Sequence, residues 1–412
     1  MREPSEESRN KKPRLYFIWN YSNWGGAQIY FLAIIKAARK FYDVTVVMPE
    51  NSAPRLYDYL NKAEIKYELL PPQTNLISAA GIIAKLKVHI RKITAENQLV
   101  NQICARDLAK TILHVDLGFW QSFLPLFRLA RRAPVYTTIH TALPPVAGWR
   151  EIVWKTKGFL ISRLKNYHFI ASNNDAKKSL RPFISDQKYR EIAVAYSGIN
   201  RAEIERVSAQ KIDRAEICRR YNLPENKLLI FSVGQFIERK GCRVVLEAMR
   251  ELKNNLPNAQ FVWLGTTPVD EEATVQIRKF DVEENFRLIG ADEIGKTRED
   301  LLVLFSAADI FVLASLQEGL PIALVEAMAL GKPCISTRIN AIPEAIESGA
   351  NGILIAANNS SQLVEAIVRL AEDKKMRDEF GSRAQQKAFT DFDEEKSAAI
   401  TLESYEKLTK SQ

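Results

Sequence analysis

Short, β-branched apolar runs alternate along the chain with longer segments whose apolar residues recur at helical spacing. This alternation is typical of parallel βαβ units, and the nearly continuous apolar runs indicate strands covered on both faces. In the first half the predicted strands are Leu15–Trp19, Val44–Met48, Thr111–Val115, Val135–His140 and Phe169–Ala171. In the second half they are Leu228–Val233, Gln260–Leu264, Ile310–Leu313, Cys334–Ser336 and Gly352–Ile355. The pattern therefore predicts an α/β fold.

The chain has 412 residues, which is too long for one ordinary α/β core, so two domains are expected. A turn at Tyr196-Ser197-Gly198 precedes the predicted junction. The predicted division is a disordered lead-in at 1–13, domains at 14–205 and 206–390, and a terminal helix at 391–412. One option for the terminal helix is that the chain returns there to the first domain.

Composition narrows the class of protein. Hydrophobic residues make up 46% of the chain, which is ample for a core, and no apolar run approaches the ~18–20 residues of a membrane-spanning helix. The polar first 14 residues contain no apolar stretch typical of a signal peptide. The four cysteines are scattered without metal-ligand spacing, as in proteins of a reducing cytoplasm.

Charge is divided unevenly along the chain. Residues 1–200 contain 30 Lys and Arg against 15 Asp and Glu, whereas residues 201–412 contain 28 against 34. A basic half beside a mildly acidic half suggests that one domain faces a polyanion. A membrane surface, a nucleic acid and an anionic substrate all fit this charge.

The most informative segment is Glu318-Gly-Leu-Pro-Ile-Ala-Leu-Val-Glu326, which follows the predicted strand Ile310–Leu313. Pro321 suits the first turn of a helix, where its missing N–H would have had no partner. The N–H groups and dipole of a helix start favour a diphosphate. Two carboxylates beside an anion would repel it unless they bind hydroxyl groups, in which sugars and riboses are rich. The segment therefore predicts a site for a phosphorylated sugar compound.

Four more segments accompany this one in the second half. They are Val233-Gly-Gln-Phe-Ile-Glu-Arg-Lys-Gly241, Ser306-Ala-Ala-Asp-Ile-Phe-Val-Leu-Ala-Ser315, Pro343-Glu-Ala-Ile346 and Gly349-Ala-Asn-Gly-Ile-Leu354. With the E-x7-E spacing of Glu318 and Glu326, the chain from about Ile192 onward resembles family 4 of the retaining glycosyltransferases. The resemblance implies the GT-B architecture, in which two Rossmann-like, doubly wound domains enclose a cleft. Domain 14–205 would then bind the acceptor, and domain 206–390 the nucleotide-sugar donor.

The resemblance also implies residue roles. Glu326 would bind the ribose hydroxyls, Glu318 the hydroxyls of the transferred sugar, and Lys240 the leaving diphosphate. The diphosphate would lie against the backbone that follows Glu318, formed by Gly319, Leu320, Pro321 and Ile322. Charge stabilisation of a leaving group is commonly a large catalytic term, so Lys240 and Glu318 are predicted to be catalytic.

One position departs from the family pattern. The family often has an arginine directly after the glycine of the first loop, and this chain has Gln235. Gln235 is still expected to line the donor site. Arg239 either supplies a second positive charge there or lies in a solvated turn, and the sequence leaves both readings open.

In the first half, Gly25 and Gly26 follow the first predicted strand and open a helix, as the family's glycine loop does beside the donor phosphate. His114 and His140 end predicted strands, and ligands of α/β sheets gather at such ends. His140 resembles the family histidine that contacts the donor sugar near the reacting carbon, so it is predicted to be catalytic together with Lys240 and Glu318. For His114 the sequence does not decide between a structural and a functional role.

The predicted function is transfer of a hexose, without a metal, from a UDP- or GDP-sugar to a hydroxyl of a glycan or lipid-linked acceptor. Cell-surface polysaccharide or glycolipid synthesis is the expected setting. No cofactor beyond the nucleotide sugar is expected. A nucleotide-sugar 2-epimerase or hydrolase on the same fold is the alternative enzyme, and a non-catalytic binding subunit, favoured only by Gln235, is the alternative outside enzymes.

Two basic amphipathic stretches, Ile82–Ile93 and Trp149–Lys165, lie in the first half. Each fits an ordinary helix packed on a sheet, and each also fits a surface that binds anionic lipid. We therefore expect a cytoplasmic protein, with peripheral attachment to the inner membrane face as an open option. Nucleic acid is not an expected partner, because no known binding module accompanies the charge.

Overall fold

The computed structural model describes residues 12–19, 25–71, 82–210, 212–295 and 297–409, with side chains left out at 82–92 and 408–409. The chain divides into two compact units. The N-terminal domain contains the residues up to Ala195 and those from Ala398 onward, and the C-terminal domain is Tyr196–Ser397. All ten predicted strands are present, with ends that differ by at most two residues.

The N-terminal domain is built on a seven-stranded parallel sheet. Its strands are β1 (Arg14–Ile18), β2 (Asp43–Pro49), β3 (Lys66–Leu70), β4 (Thr111–Val115), β5 (Val135–Ile139), β6 (Tyr167–Ala171) and β7 (Ala193–Val194). The order β3-β2-β1-β4-β5-β6-β7 shows that the chain starts centrally and winds outward in both directions. The order reverses between β1 and β4, the position where such sheets bind ligands.

Helices cover both faces of this sheet. They are Gly26–Ala38, Pro54–Lys62, Ile82–Cys104, Phe119–Ala130, Trp149–Ser162, Asn174–Leu180 and Asp186–Glu191. Because side chains alternate along a strand, Ile112 of β4 packs in one apolar cluster while Leu113 and Val115 pack in the other. This double burial explains why the strand reads as a continuous apolar run.

The C-terminal domain repeats the plan with six parallel strands. They are β8 (Leu228–Val233), β9 (Ala259–Leu264), β10 (Phe286–Ile289), β11 (Ile310–Leu313), β12 (Cys334–Thr337) and β13 (Gly352–Ile355). Their order is β10-β9-β8-β11-β12-β13, so the reversal lies between β8 and β11. The helices are Arg201–Ala209, Arg214–Arg220, Cys242–Asn255, Glu271–Lys279, Ala291–Ile294, Arg298–Ser306, Ile322–Ala329, Ile342–Ala345, Ser360–Glu372 and Lys374–Asp391, with a 3-10 turn at Glu238–Lys240.

The junction lies between Ala195 and Tyr196, ahead of the boundary predicted after residue 205. The helix Arg201–Ala209 accounts for the difference. Its apolar residues Ile204 and Val207 are buried in the C-terminal core, so the helix belongs to that domain.

The last helix, Glu394–Thr409, passes from the C-terminal domain into the N-terminal domain. From Ala398 onward it packs with the N-terminal sheet, where Leu402 and Tyr405 are buried. The predicted start at 391 was too early, because Asp391 ends the preceding helix.

Candidate functional site

Two loops meet at the centre of the C-terminal sheet, where the strand order reverses. One loop follows β8 and ends in the 3-10 turn Glu238–Lys240, and the other follows β11. Gly241 has φ +82°, and a Cβ there would lie 2.0 Å from the carbonyl oxygen of Ala314. The Leu316 amide donates to the Arg239 carbonyl at 2.8 Å. Close backbone packing therefore fixes the two loops against each other.

This packing brings Lys240 and Glu318 together. The Lys240 ammonium lies 2.5 Å from Oε1 of Glu318, and the Ser315 hydroxyl donates to the same oxygen at 2.8 Å. The two charged side chains are 18% and 8% exposed. Two charged groups this sheltered have lost much of their contact with water. A ligand anion could accept a hydrogen bond from Lys240, and a ligand hydroxyl could donate one to Glu318.

The segment after Glu318 leads directly into the helix Ile322–Ala329. Gly319 and Leu320 precede Pro321, which is the N-cap residue, one position earlier than the first-turn place predicted for it. The first turn contains no acidic residue, so its positive end is not neutralised from within the helix. The early N–H groups of a helix have no partner inside it, which makes this turn suitable for a phosphate group.

Glu326, four residues into that helix, is 4% exposed. Its Oε1 lies 2.5 Å from Nη2 of Arg298, whose Nε lies 3.4 Å from Oε2 of Glu203. Arg298 was not predicted as a site residue. Its sequence context, Thr-Arg-Glu-Asp at a helix start, looks like any solvated helix terminus.

Gln235 and Arg239 are exposed on the loop after β8. The Arg239 guanidinium donates to the carbonyl of Gln317, the residue before Glu318, at 3.3 Å. Arg239 is therefore anchored beside the Lys240–Glu318 pair and directs its charge toward solvent at the edge of the loops.

In the N-terminal domain, His140 follows β5 directly. Its ring packs edge-on against Tyr30 and Phe31, with centroids 5.1 and 5.2 Å away. Burial lowers the pKa of His140 to about 4, so the imidazole is neutral at pH 7. Its Nε2 is buried and has no hydrogen-bond partner among the residues that the structure describes. A neutral ring with an unsatisfied nitrogen at a strand end can bind a hydroxyl group.

His114 is a structural residue. Its Nδ1 is hydrogen-bonded to the Tyr405 hydroxyl, and its Nε2 lies 2.7 Å from the Thr138 hydroxyl. Burial, with a smaller contribution from His140, lowers the pKa of His114 to about 3. Both ring nitrogens are used within the core, which resolves the choice that the sequence left open.

Gly25 and Gly26 lie at the start of the helix after β1. Gly25 is the N-cap residue in extended conformation, and Gly26 is the first helical residue. The preceding Asn23 and Trp24 lie outside the described residues. The predicted site residues therefore form two groups, one in each domain.

The residues that the structure describes contain no group of three or more His, Cys, Asp or Glu arranged to hold a metal ion. None of their helices combines the length and the apolar character needed to cross a bilayer.

Two doubly wound domains of this kind define the GT-B fold, and solved structures share it over nearly the whole chain. A glycosyltransferase from Rickettsia africae matches with a TM-score of 0.73 and 17% identity, over 98% of this chain and 100% of that one. Anabaena HepE in complex with UDP matches with a TM-score of 0.68 and 19% identity, over 96% and 100%. At these identities the likeness establishes the fold.

Residues 213–387, within the C-terminal domain, match the model of the family Glycosyl transferases group 1. A putative colanic acid biosynthesis glycosyltransferase, WcaL of Salmonella typhimurium, is 29% identical over 197 residues, 46% of this chain and 48% of that protein. An N,N'-diacetylbacillosaminyl-diphospho-undecaprenol alpha-1,3-N-acetylgalactosaminyltransferase of Campylobacter jejuni is 29% identical over 186 residues, 45% and 46% of the two chains. The chain matches about half the length of these curated relatives.

Proposed function

We propose that the protein is a retaining glycosyltransferase that transfers a hexose from a nucleotide-diphosphate sugar to a hydroxyl of a glycan or lipid-linked acceptor. The observation that carries this proposal is the meeting of Lys240 and Glu318 beside the start of the helix that carries Glu326. The names of the relatives from Salmonella typhimurium and Campylobacter jejuni support cell-surface polysaccharide or glycolipid synthesis as the setting. The UDP bound by HepE favours a uridine nucleotide, with a GDP-sugar as the second candidate.

In the proposed reaction the bond between the anomeric carbon and the diphosphate oxygen breaks, and its electron pair leaves with the nucleotide diphosphate. Lys240 and the amides at the start of Ile322–Ala329 stabilise the negative charge that develops there, so no metal is needed. The acceptor oxygen bonds to the anomeric carbon from the leaving-group side. Its proton passes to a diphosphate oxygen, and the sugar keeps its configuration.

The Lys240–Glu318 pair prepares both groups for these roles. When the diphosphate enters, Lys240 gains a second anionic partner, while Glu318 keeps the hydroxyl of Ser315 and accepts from hydroxyls of the sugar. Because the two side chains already constrain each other, little side-chain freedom is lost on binding.

A nucleotide-sugar screen tests the proposal. UDP-, GDP- and ADP-sugars are each added in a thermal-shift assay, and the sugar that raises the melting temperature is then incubated with and without glycan acceptors. Release of nucleotide that depends on the acceptor supports a transferase. Release without acceptor indicates a hydrolase, a change in the sugar itself indicates an epimerase, and binding without turnover indicates a binding subunit.

His140 is proposed to contact the donor sugar through its neutral ring. His140→Ala should lower kcat by about 10- to 100-fold, as expected for loss of one hydrogen bond in the transition state. Affinity for the free nucleotide should stay within about threefold, because the proposed contact is with the sugar. Full activity in a variant with an unchanged melting temperature would return His140 to a structural role.

The helix Trp149–Ser162 is the proposed membrane-binding surface of the N-terminal domain. Its exposed face carries large apolar side chains, namely Trp149, Ile152, Phe159 and Leu160, exposed by 40–73%. The basic side chains on this helix and just after it are Arg150, Lys155, Lys157, Arg163 and Lys165. The basic residues of the other stretch, Ile82–Ile93, are Lys85, Lys87, Arg91 and Lys92, and their side chains lie outside the described part of the structure. Apolar insertion with surrounding positive charge fits anionic lipid at the inner face of a membrane.

Vesicle co-sedimentation tests this surface. Binding to anionic vesicles should fade as salt rises, since each Lys or Arg near the surface contributes about 1 kcal/mol within a Debye length. Trp149→Ser together with Phe159→Ser should weaken binding severalfold, whereas Val275→Ser, which removes an exposed apolar residue of the C-terminal domain, should not. Equal binding to neutral vesicles, or no binding to anionic vesicles at low salt, would contradict the proposed membrane surface. The positive charge of the N-terminal half would then be explained by an anionic acceptor.

A further inference from the structure

The guanidinium of Arg298 lies between two carboxylates of the C-terminal domain. Its Nη2 is 2.5 Å from Oε1 of Glu326, and its Nε is 3.4 Å from Oε2 of Glu203. Glu326 is the most sheltered of the three, with a side chain 5% exposed against 21% for each of the others. The arrangement places one cation against a nearly buried anion of the proposed nucleotide site.

A carboxylate as sheltered as that of Glu326 is costly to ionise without a cation nearby. Arg298 supplies that cation in an ion pair, with 2.5 Å between its Nη2 and Oε1 of Glu326. A carboxylate has two oxygens and accepts about four hydrogen bonds, so the contact of Arg298 with Oε1 does not by itself prevent Glu326 from accepting from hydroxyl donors. The ion pair therefore fixes the orientation in which Glu326 can accept from a ligand.

The backbones around Arg298 and Glu203 are also fixed. Arg298 is the first residue of the helix Arg298–Ser306, whose N-cap Thr297 and third residue Asp300 form a reciprocal capping box. Glu203 lies in the first turn of Arg201–Ala209, and its amide donates to the N-cap Asn200 at 3.0 Å. Each charged group thus projects from a capped helix start, where its position is well defined.

We propose that Arg298 is a positioning residue for nucleotide recognition. It acts through Glu326, pairing with that carboxylate and orienting it toward the ribose hydroxyls, while Oε2 of Glu203 lies 3.4 Å from Nε of the same guanidinium. The inference rests on the proposed function, in which Glu326 binds the ribose. It adds that recognition of the ribose requires three residues from three different helices.

Calorimetric titration with UDP and with GDP tests this, and the nucleotide that binds more tightly to the unaltered protein is then used throughout. Arg298→Met, which keeps most of the unbranched stem but removes the guanidinium and its charge, should weaken binding about tenfold or more, as expected when a sheltered carboxylate loses its cation. Arg298→Lys should recover part of the loss, because it restores the charge without the planar fork. Arg206→Met is the matched control, since Arg206 forms an exposed ion pair with Glu299 between the same two helices, 3.6 Å apart.

The 2′-deoxy form of the same nucleotide shows whether Arg298 acts through the ribose. The unaltered protein should prefer the ribose form, and this preference should be largely lost in Glu326→Gln and in Arg298→Met. The double variant should bind no more weakly than Glu326→Gln alone, because both changes remove one recognition unit. Turnover at saturating donor should fall less than threefold in Arg298→Met, since the ribose takes no part in the reaction.

The outcomes separate this inference from the proposed function. If Glu326→Gln binds both nucleotide forms as the unaltered protein does, the ribose role of Glu326 fails and the inference fails with it. If Glu326→Gln loses the preference while Arg298→Met keeps it, only the positioning role is wrong. Should Arg298→Met not fold, Glu203→Gln provides the test: a reduced preference supports the inference, and an unchanged preference contradicts it.

Discussion

Replacing Lys240 with methionine is expected to lower kcat/KM for sugar transfer by about 100- to 1000-fold, the usual cost of removing one preorganised group that stabilises transition-state charge. Lys240 lies at the proposed diphosphate site because the loop after β8 is packed on the loop after β11. The loss should fall mainly on kcat, since the charge on the diphosphate grows as the anomeric bond breaks. Steady-state kinetics with the donor sugar identified in the screen provides the measurement.

Arg243→Met is the matched control for this variant. Arg243 lies three residues after Lys240, is half-exposed, and pairs with Glu238 and Glu247 at 3.0 and 2.7 Å. It should leave kcat/KM within about twofold, as expected for a solvated ion pair. Lys240→Met also leaves the nearly buried Glu318 without its cation. Comparing the stability of this variant with that of the double variant Lys240→Met/Glu318→Gln shows whether the unpaired carboxylate affects folding. A kcat/KM within about twofold of the unaltered protein in Lys240→Met would rule out the leaving-group role.

Acidification is expected to destabilise the N-terminal domain well before the C-terminal domain. Burial lowers the pKa of His114 to about 3, of His140 to about 4 and of His168 to about 3, against an ordinary value of 6.5. Unfolding exposes these rings, so the unfolded chain binds protons that the folded domain does not. Their contribution to stability is therefore complete above about pH 6.5 and is lost as the pH falls toward 4.

For His114 and His140 together, the free energy of unfolding should drop by about 3 kcal/mol between pH 6.5 and 5, because each unfolded imidazole goes from half to nearly full protonation at up to roughly 1.4 kcal/mol per proton and pH unit. The C-terminal domain is an internal control, because all four histidines of the chain precede residue 196. Urea unfolding followed at both pH values should show two transitions, of which only the one assigned to the N-terminal domain moves markedly. Equal shifts of both transitions would contradict the prediction.

The central strands could be predicted from sequence because burial on both faces makes them continuously apolar. Three of the four edge strands, all but β13, escaped prediction for the opposite reason. The edge strand β3 reads Lys-Tyr-Glu-Leu-Leu and buries only Leu70, β10 includes the partly exposed Arg287, and β7 has two residues. Edge strands share fewer contacts with the core, so their sequences carry little of its pattern.

The residues of the site also divide into those that could be predicted from sequence and those that could not. The proximity of Lys240 and Glu318 follows from the rule that loops after neighbouring central strands meet where the strand order reverses. The role of Arg298 could not be anticipated, because nothing in the local sequence distinguishes an arginine that pairs with Glu326 from one in water. The same limit applied to His114, whose partner Tyr405 lies 291 residues away in the chain.

The final helix also has a consequence for the order of events during protein synthesis. Leu402 and Tyr405 fill the N-terminal core beside Tyr136, yet the ribosome makes them only after all of residues 196–397. The first 195 residues therefore leave the ribosome as an α/β sheet with an uncovered apolar area. We expect the C-terminal domain to complete its core first, although it is translated second. Until the last helix arrives, the nascent N-terminal domain is the part of the chain that most needs protection from aggregation.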